Sequence, residues 1–237
     1  MRRLAAFLLI AVLLGTALTA QAAEKAPKFS ARTAQEARTK ALAAFDVSAL
    51  SMEYPGSGAR QGHLIRWADS IRLYIGGKPT KKDRATIDTM LLNLALRVPG
   101  LPNITLTANK SASNVQMYFV PLKQIRNYVP GYVEGNWGMF HFNYRNWTIY
   151  DVQIGIATDV TDQKARNHLI QEEFFGALGL PNDHYLYSDS IVYEPWTTVQ
   201  QPSEVDWLML NMVYSPLVSP GMQKDELHRI FTNAWSR

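Results

Sequence analysis

The chain of 237 residues contains no cysteine. That absence excludes disulfide staples, thiolate metal sites, a thiol nucleophile and a lipid-modified N-terminal cysteine. Stability must come from core packing, and with 47% hydrophobic residues the chain has the material for it. Charged residues make up 19% and aromatics 11%, which separates it from disordered and low-complexity sequences. A surplus of one charge sign is also missing: 24 Lys and Arg face 20 Asp and Glu. The densest basic group, Lys81, Lys82 and Arg84, is interrupted by Asp83 and reads as a solvated helix face. Nucleic acid is therefore not an expected partner. Nor does the chain carry G-x-S-x-G, G-x-x-x-x-G-K-[ST] or S-x-x-K, so the common nucleophile and phosphate-binding signatures are absent.

Long apolar runs are confined to the N-terminus. Arg2 and Arg3 precede an apolar stretch from Leu4 to Leu18, and Ala20-Gln21-Ala22 follows. The pattern is that of an export signal cleaved after Ala22, because the run is short for a bilayer span of about 20 residues. Cleavage removes two arginines and leaves 22 basic against 20 acidic residues. The expected location is periplasmic or secreted, with no membrane span after cleavage. Asn103-Ile104-Thr105 and Asn146-Trp147-Thr148 match the glycosylation sequon, which has meaning only in a eukaryotic secretory pathway.

Residues 23–60 read as an N-terminal arm, with helical Ala34–Ala44 and a break at Tyr54-Pro55-Gly56-Ser57-Gly58. A single domain is expected over 61–237. Ile65–Trp67 and Ile71–Ile75 alternate as a strand, and Thr80 with Asp83 forms a capping box for a helix reaching Val98. Alternation then predicts strands near Ile104–Thr107, Asn114–Val120, Trp137–Tyr144 and Ile149–Ala157, with a short helix over Pro121–Tyr128. Asp159 or Thr161 is placed to cap a long helix from about Asp162 to Leu178, which Gly179 stops. Two helices follow, near Ser203–Val213 and Gln223–Trp235.

The end of the long helix reads Glu172-Glu173-Phe174-Phe175-Gly176-Ala177-Leu178-Gly179-Leu180-Pro181-Asn182-Asp183. It resembles the metzincin motif H-E-x-x-H-x-x-G-x-x-H with its metal ligands replaced. Glu172 takes the place of the first histidine, Glu173 that of the general base, Gly176 that of the second histidine and Asn182 that of the third ligand. Gly179 matches the glycine of the turn, and Asn211–Pro216 falls where a methionine turn would lie. Together with Ser190-Ile191-Val192 and the stretch from Asp206 through Tyr214, Pro216, Pro220, Gly221 and Met222, the pattern over roughly 62–223 resembles the bacterial exported family called domain of unknown function 2927. The resemblance implies an α+β, zincin-like domain. Its mixed, twisted sheet would have four to five strands, with a long motif helix and a helical C-terminal part.

Zinc needs three protein ligands and an open water position. Gly176 has no side chain and Asn182 is a poor ligand, so no cofactor is expected. A glycine costs about 1 kcal/mol in a helix interior, so Gly176 implies a close approach of another group into the vacated space. A different metal set would be His168, Glu172 and His184. His168 and Glu172 share a helix face at i, i+4, but a surface histidine, a loop histidine and a paired carboxylate are the plainer reading. Glu172 and Glu173 are the sole catalytic candidates. As neighbours about 100° apart on a helix, they do not form a paired acid/base site.

Aromatics crowd one stretch: Tyr128, Tyr132, Trp137, Phe140, Phe142, Tyr144, Trp147 and Tyr150. They suit strand cores, and they also suit stacking on sugars or gripping a peptide along an edge strand. The expected role is non-catalytic binding of a peptide or envelope partner in the cleft beneath the Glu172–Gly179 helix. The expected binding residues are Glu172, Glu173, Asn182, Asp183, Trp137 and Tyr144. The alternatives are a hydrolase with a non-standard metal set or none, and an envelope assembly factor. Ile170, Phe174 and Leu178 form the helix's core stripe, which sets Glu173 beside the core. A carboxylate there needs a partner, and Arg66, Arg72 or the 181–184 turn amides are the options.

Overall fold

The computed structural model describes residues 26–51 and 62–236. The expected signal at 1–22 and the break at 54–58 lie outside the described residues.

The fold is α+β. The sheet is built from β1 (Arg66–Trp67), β2 (Ile71–Gly77), β3 (Ile104–Leu106), β4 (Val115–Val120), β5 (Gly138–Arg145) and β6 (Thr148–Ala157). The strands β3, β2, β4 and β6 lie side by side in parallel, β1 runs parallel to the start of β6, and β5 is antiparallel to β6. The sheet is mixed, as expected, with six described strands rather than four or five. The difference arises at Ala68–Ser70, where the chain leaves its pairing with β6 and re-enters the sheet beside β3 and β4. Alternation alone runs through that step.

Five α-helices are described: α1 (Ala34–Ser48), α2 (Lys81–Arg97), α3 (Gln163–Ala177), α4 (Glu204–Val213) and α5 (Lys224–Trp235). Thr80 and Asp83 form the expected capping box on α2. On α3 the cap is Asp162, whose carboxylate accepts from the Ala165 amide at 2.8 Å, rather than Asp159 or Thr161. Those two residues are used elsewhere: Asp159 accepts from the Leu122 amide and the Thr161 hydroxyl donates to the Ala157 carbonyl. Residues 122–127 form a 3-10 helix.

The sheet has two apolar faces. On one, Leu73, Met117, Ile154 and Phe142 join α2, α3 and α4 in the main core. On the other, Tyr118, Val120 and Met139 meet Ile125 and Val129 in a smaller cluster. Ala41, Ala44 and Phe45 of α1 belong to the main core. Asp46 also accepts from Lys224 at 2.9 Å and pairs with His228 at 2.7 Å on α5. The helix read as part of an arm at 23–60 is thus packed into the core. The sequence hid this because its apolar positions are mostly alanines, which carry little periodic signal.

None of the described helices is long and apolar enough to cross a membrane.

Candidate functional site

Helix α3 lies across β5, and two glycines set how closely. A Cβ on Gly176 would collide with the Phe140 ring, and a Cβ on Gly138 would collide with the Glu173 carboxylate and with Leu169. The close approach expected at Gly176 is therefore real, and the group that makes it is an aromatic ring from the adjacent strand.

The end of α3 is held by ring donors. The Trp67 indole N–H donates to the Ala177 carbonyl at 3.0 Å, and the Tyr214 hydroxyl donates to the Leu178 carbonyl at 2.7 Å. Gly179 then turns the chain at φ +115°, with the Ile65 carbonyl against its α-carbon side. Tyr214 is itself fixed by Arg66, whose guanidinium lies 5.2 Å from the ring centroid and donates to the Val213, Ser215 and Val218 carbonyls. Burial pushes the Tyr214 phenol well above its ordinary range.

Behind this, Asp206 opens α4 and is fully buried. Its carboxylate accepts from the Ser190 hydroxyl at 2.5 Å, the Ile191 amide at 3.0 Å, and the amide and hydroxyl of Ser203. Burial pushes its carboxyl up to about 6, against those four donors. Ser190-Ile191 and Asp206, two separate parts of the sequence pattern, are thus one hydrogen-bonded unit. Their spacing gave no hint of it.

The predicted site residues separate into three places. Glu172 lies 3.5 Å from His168 on the same helix face, and its side chain is 17% exposed. His168 is buried, and its Nδ1 lies 2.9 Å from the Val199 carbonyl. A carbonyl can only accept, so Nδ1 carries a proton. Burial is the largest single influence and opposes the imidazole's charge, but Glu172, the Val199 carbonyl and the charge of Asp206 together outweigh it and raise its pKa. Glu173 is buried at 8% exposure against Gly138. Neither arginine proposed for it is used that way: Arg66 serves the 213–218 carbonyls and Arg72 donates to the Ala112 carbonyl.

The second place is the turn after α3. The Asn182 amide side chain donates to the Val47 and Asp183 carbonyls, and its backbone N–H donates to Ser48. Asn182 therefore fastens the turn to the end of α1. His184 is fully buried, and its Nδ1 accepts from the Leu186 amide at 3.2 Å. It does not join His168 and Glu172: no three His, Asp or Glu side chains among the described residues converge as a metal site would require. The three-residue metal set is corrected accordingly. The turn faces α1 and the 184–194 loop, and the i, i+4 spacing spoke only for the helix.

The third place is along β5, with Trp137 immediately before the strand and Tyr144 near its far end, about 23 Å of extended chain apart. Tyr144 stacks 6.0 Å from Trp147, while Trp137 lies edge-to-face with Trp196 at 5.2 Å. Trp196 was missed in the sequence because it lies in an irregular loop without periodicity. It also contacts the His168 ring, edge-to-face at 5.7 Å.

A catalytic zinc does not fit these residues. The position of the second ligand holds a glycine covered by Phe140, the third is an amide committed to backbone carbonyls, and the first is a carboxylate held to His168.

No curated protein matches the chain. Two solved structures of myroilysin are similar at 10% identity. One match covers 80% of this chain and 99% of the other with a TM-score of 0.44; the other covers 65% and 97% with a TM-score of 0.42. Residues 38–233 match the family described as protein of unknown function (DUF2927), and the chain belongs to that family.

Proposed function

We propose that this is an exported, non-catalytic protein that binds an extended segment of a peptide or envelope partner along β5. The observation that carries the reading is the one-sided pairing of β5, which among the described residues is bonded to β6 alone. The Ala157 amide donates to the Trp137 carbonyl, and Gly138 is in register with Ile156. Antiparallel pairs alternate between bonded and non-bonded. Residues 139 and 141 therefore bond toward β6, while Gly138 and Phe140 direct their N–H and C=O groups away from it. An added strand takes its affinity from such groups and its specificity from side-chain pockets beside them. Glu172, one residue before the Glu173 carboxylate that abuts Gly138, is partly exposed on α3. Export rests on the Ala20-Gln21-Ala22 signal, and N-terminal sequencing of the mature protein checks it.

The test is amide exchange followed by NMR with a β-forming pentapeptide, acetyl-Thr-Val-Gln-Val-Thr-amide. Binding along β5 slows exchange at Gly138 and Phe140 and leaves β3, at the far side of the sheet, unchanged. Protection at Ile104–Leu106 instead, or at neither edge up to millimolar peptide, overturns the reading.

A further inference from the structure

The indoles of Trp137 and Trp196 are 38% and 53% exposed, although they touch each other and sit over a buried imidazole. Two large, partly exposed aromatic groups in contact make an apolar patch at the surface. Under Trp196 lies the His168–Glu172 pair, and beside Trp137 the Glu173 carboxylate touches Gly138. Glu194, two residues before Trp196, is also exposed.

The wider charge pattern has the same sign. From Asn167 to Gln223, 57 residues, there is no lysine or arginine, while Glu172, Glu173, Asp183, Asp189, Glu194, Glu204 and Asp206 supply seven carboxylates. Elsewhere the chain holds all 24 basic residues against 13 acidic ones. The nearest basic residue before the run is Arg166, and its guanidinium is committed to Asp83 at 3.2 Å and to the Thr161 carbonyl at 2.7 Å. Trp196 therefore lies within the acidic stretch of an otherwise basic chain, and the fold brings Trp137 against it.

We propose that Trp137 and Trp196, with Glu172 at their base, form a pocket for a basic side chain, arginine before lysine, of the segment bound along β5. The inference rests on the peptide-binding reading above. An indole face attracts a cation through its quadrupole, and tryptophan does so best. A guanidinium is planar, stacks on such a face and offers a fork of donors to a carboxylate. Trp137 immediately precedes Gly138, the first residue of β5, so the indoles stand beside the start of that strand. A lysine satisfies the charge but not the planar stacking. A neutral sugar satisfies the stacking but has no use for the acidic surroundings.

The probes are acetyl-Thr-Val-Xaa-Val-Thr-amide peptides with Xaa as Arg, Lys, Gln or Glu, and chitotriose, titrated by calorimetry against the mature protein. The arginine peptide is expected to bind about tenfold tighter than the glutamine peptide, with glutamate weakest. Trp196→Ala and Glu172→Gln are expected to abolish that preference, so that the arginine and glutamine peptides bind each variant alike. Trp196→Phe, which preserves a ring, retains part of it, and circular dichroism confirms that each variant is folded. Equal affinity for arginine and glutamine peptides overturns the pocket and leaves strand addition standing. No binding of any peptide, or binding of chitotriose alone, overturns both.

Discussion

The ring of Phe140 on β5 occupies the space that a side chain on Gly176 of α3 would need. The pair sets the distance between helix and strand. Gly176→Ala places a methyl group against the ring in a buried contact, where overpacking costs about 1–3 kcal/mol. This outweighs the roughly 1 kcal/mol that alanine gains over glycine in a helix. Phe140→Leu in the Gly176→Ala background should recover part of the loss, because it removes the colliding atoms. A double-mutant cycle by urea denaturation measures the coupling. Additive effects would show that ring and glycine are not in contact.

Glu172 and Glu173 are neighbours with different surroundings. Glu173 is buried at 8% exposure beside Gly138, whereas the Glu172 side chain is 17% exposed and paired with His168. Removing a buried, partnered carboxylate costs about 3–5 kcal/mol. Glu173→Ala should therefore lower the melting temperature clearly, and Glu173→Gln, which retains shape and hydrogen bonding, should do less. Glu172→Ala should cost less than Glu173→Ala, because its carboxylate keeps some contact with water and His168 can give up its proton when the partner is lost. Thermal melts of the three variants decide the matter: an unchanged Glu173→Ala protein would remove the structural role assigned to this residue.

Much of this was legible from the sequence. Alternation located every strand from β2 onward, and the Thr80–Asp83 box gave the start of α2 because local hydrogen bonding determines a cap. The core stripe of Ile170, Phe174 and Leu178 is buried as its spacing implies. What spacing could not supply was the destination of side chains across the fold. Arg66 points to the carbonyls after α4 rather than to Glu173, and Asn182 is tied to α1. Trp196 joins Trp137 across 59 positions of sequence. Each of these contacts depends on how helices and loops lie on the sheet, and a one-dimensional pattern carries no such information.

His184 should make stability depend on pH. It is fully buried, its Nδ1 accepts from the Leu186 amide, and among the described residues its Nε2 has no hydrogen-bond partner. Burial is the largest influence and pushes its imidazole down to about 4, against weaker pulls from a backbone hydrogen bond and the charge of Asp189. The unfolded chain takes up the proton near pH 6.5, the folded chain only near 4. The stabilisation is therefore complete above pH 6.5 and is lost as pH falls toward 4, amounting to about 2 kcal/mol at pH 5. Asp206 acts in the opposite sense, since a carboxyl raised to about 6 stabilises the fold at low pH and loses that contribution as pH rises. The two effects overlap in the wild-type protein, so the informative quantity is a difference between proteins. His184→Asn keeps an acceptor near Nδ1 but cannot titrate, and Asp206 is common to both chains. Denaturant melts at pH 7.5 and pH 5 should show the variant gaining about 2 kcal/mol on the wild type between the two conditions, whatever its fixed cost from lost packing. Parallel pH profiles would mean that His184 takes its proton in the folded state as readily as in the unfolded one.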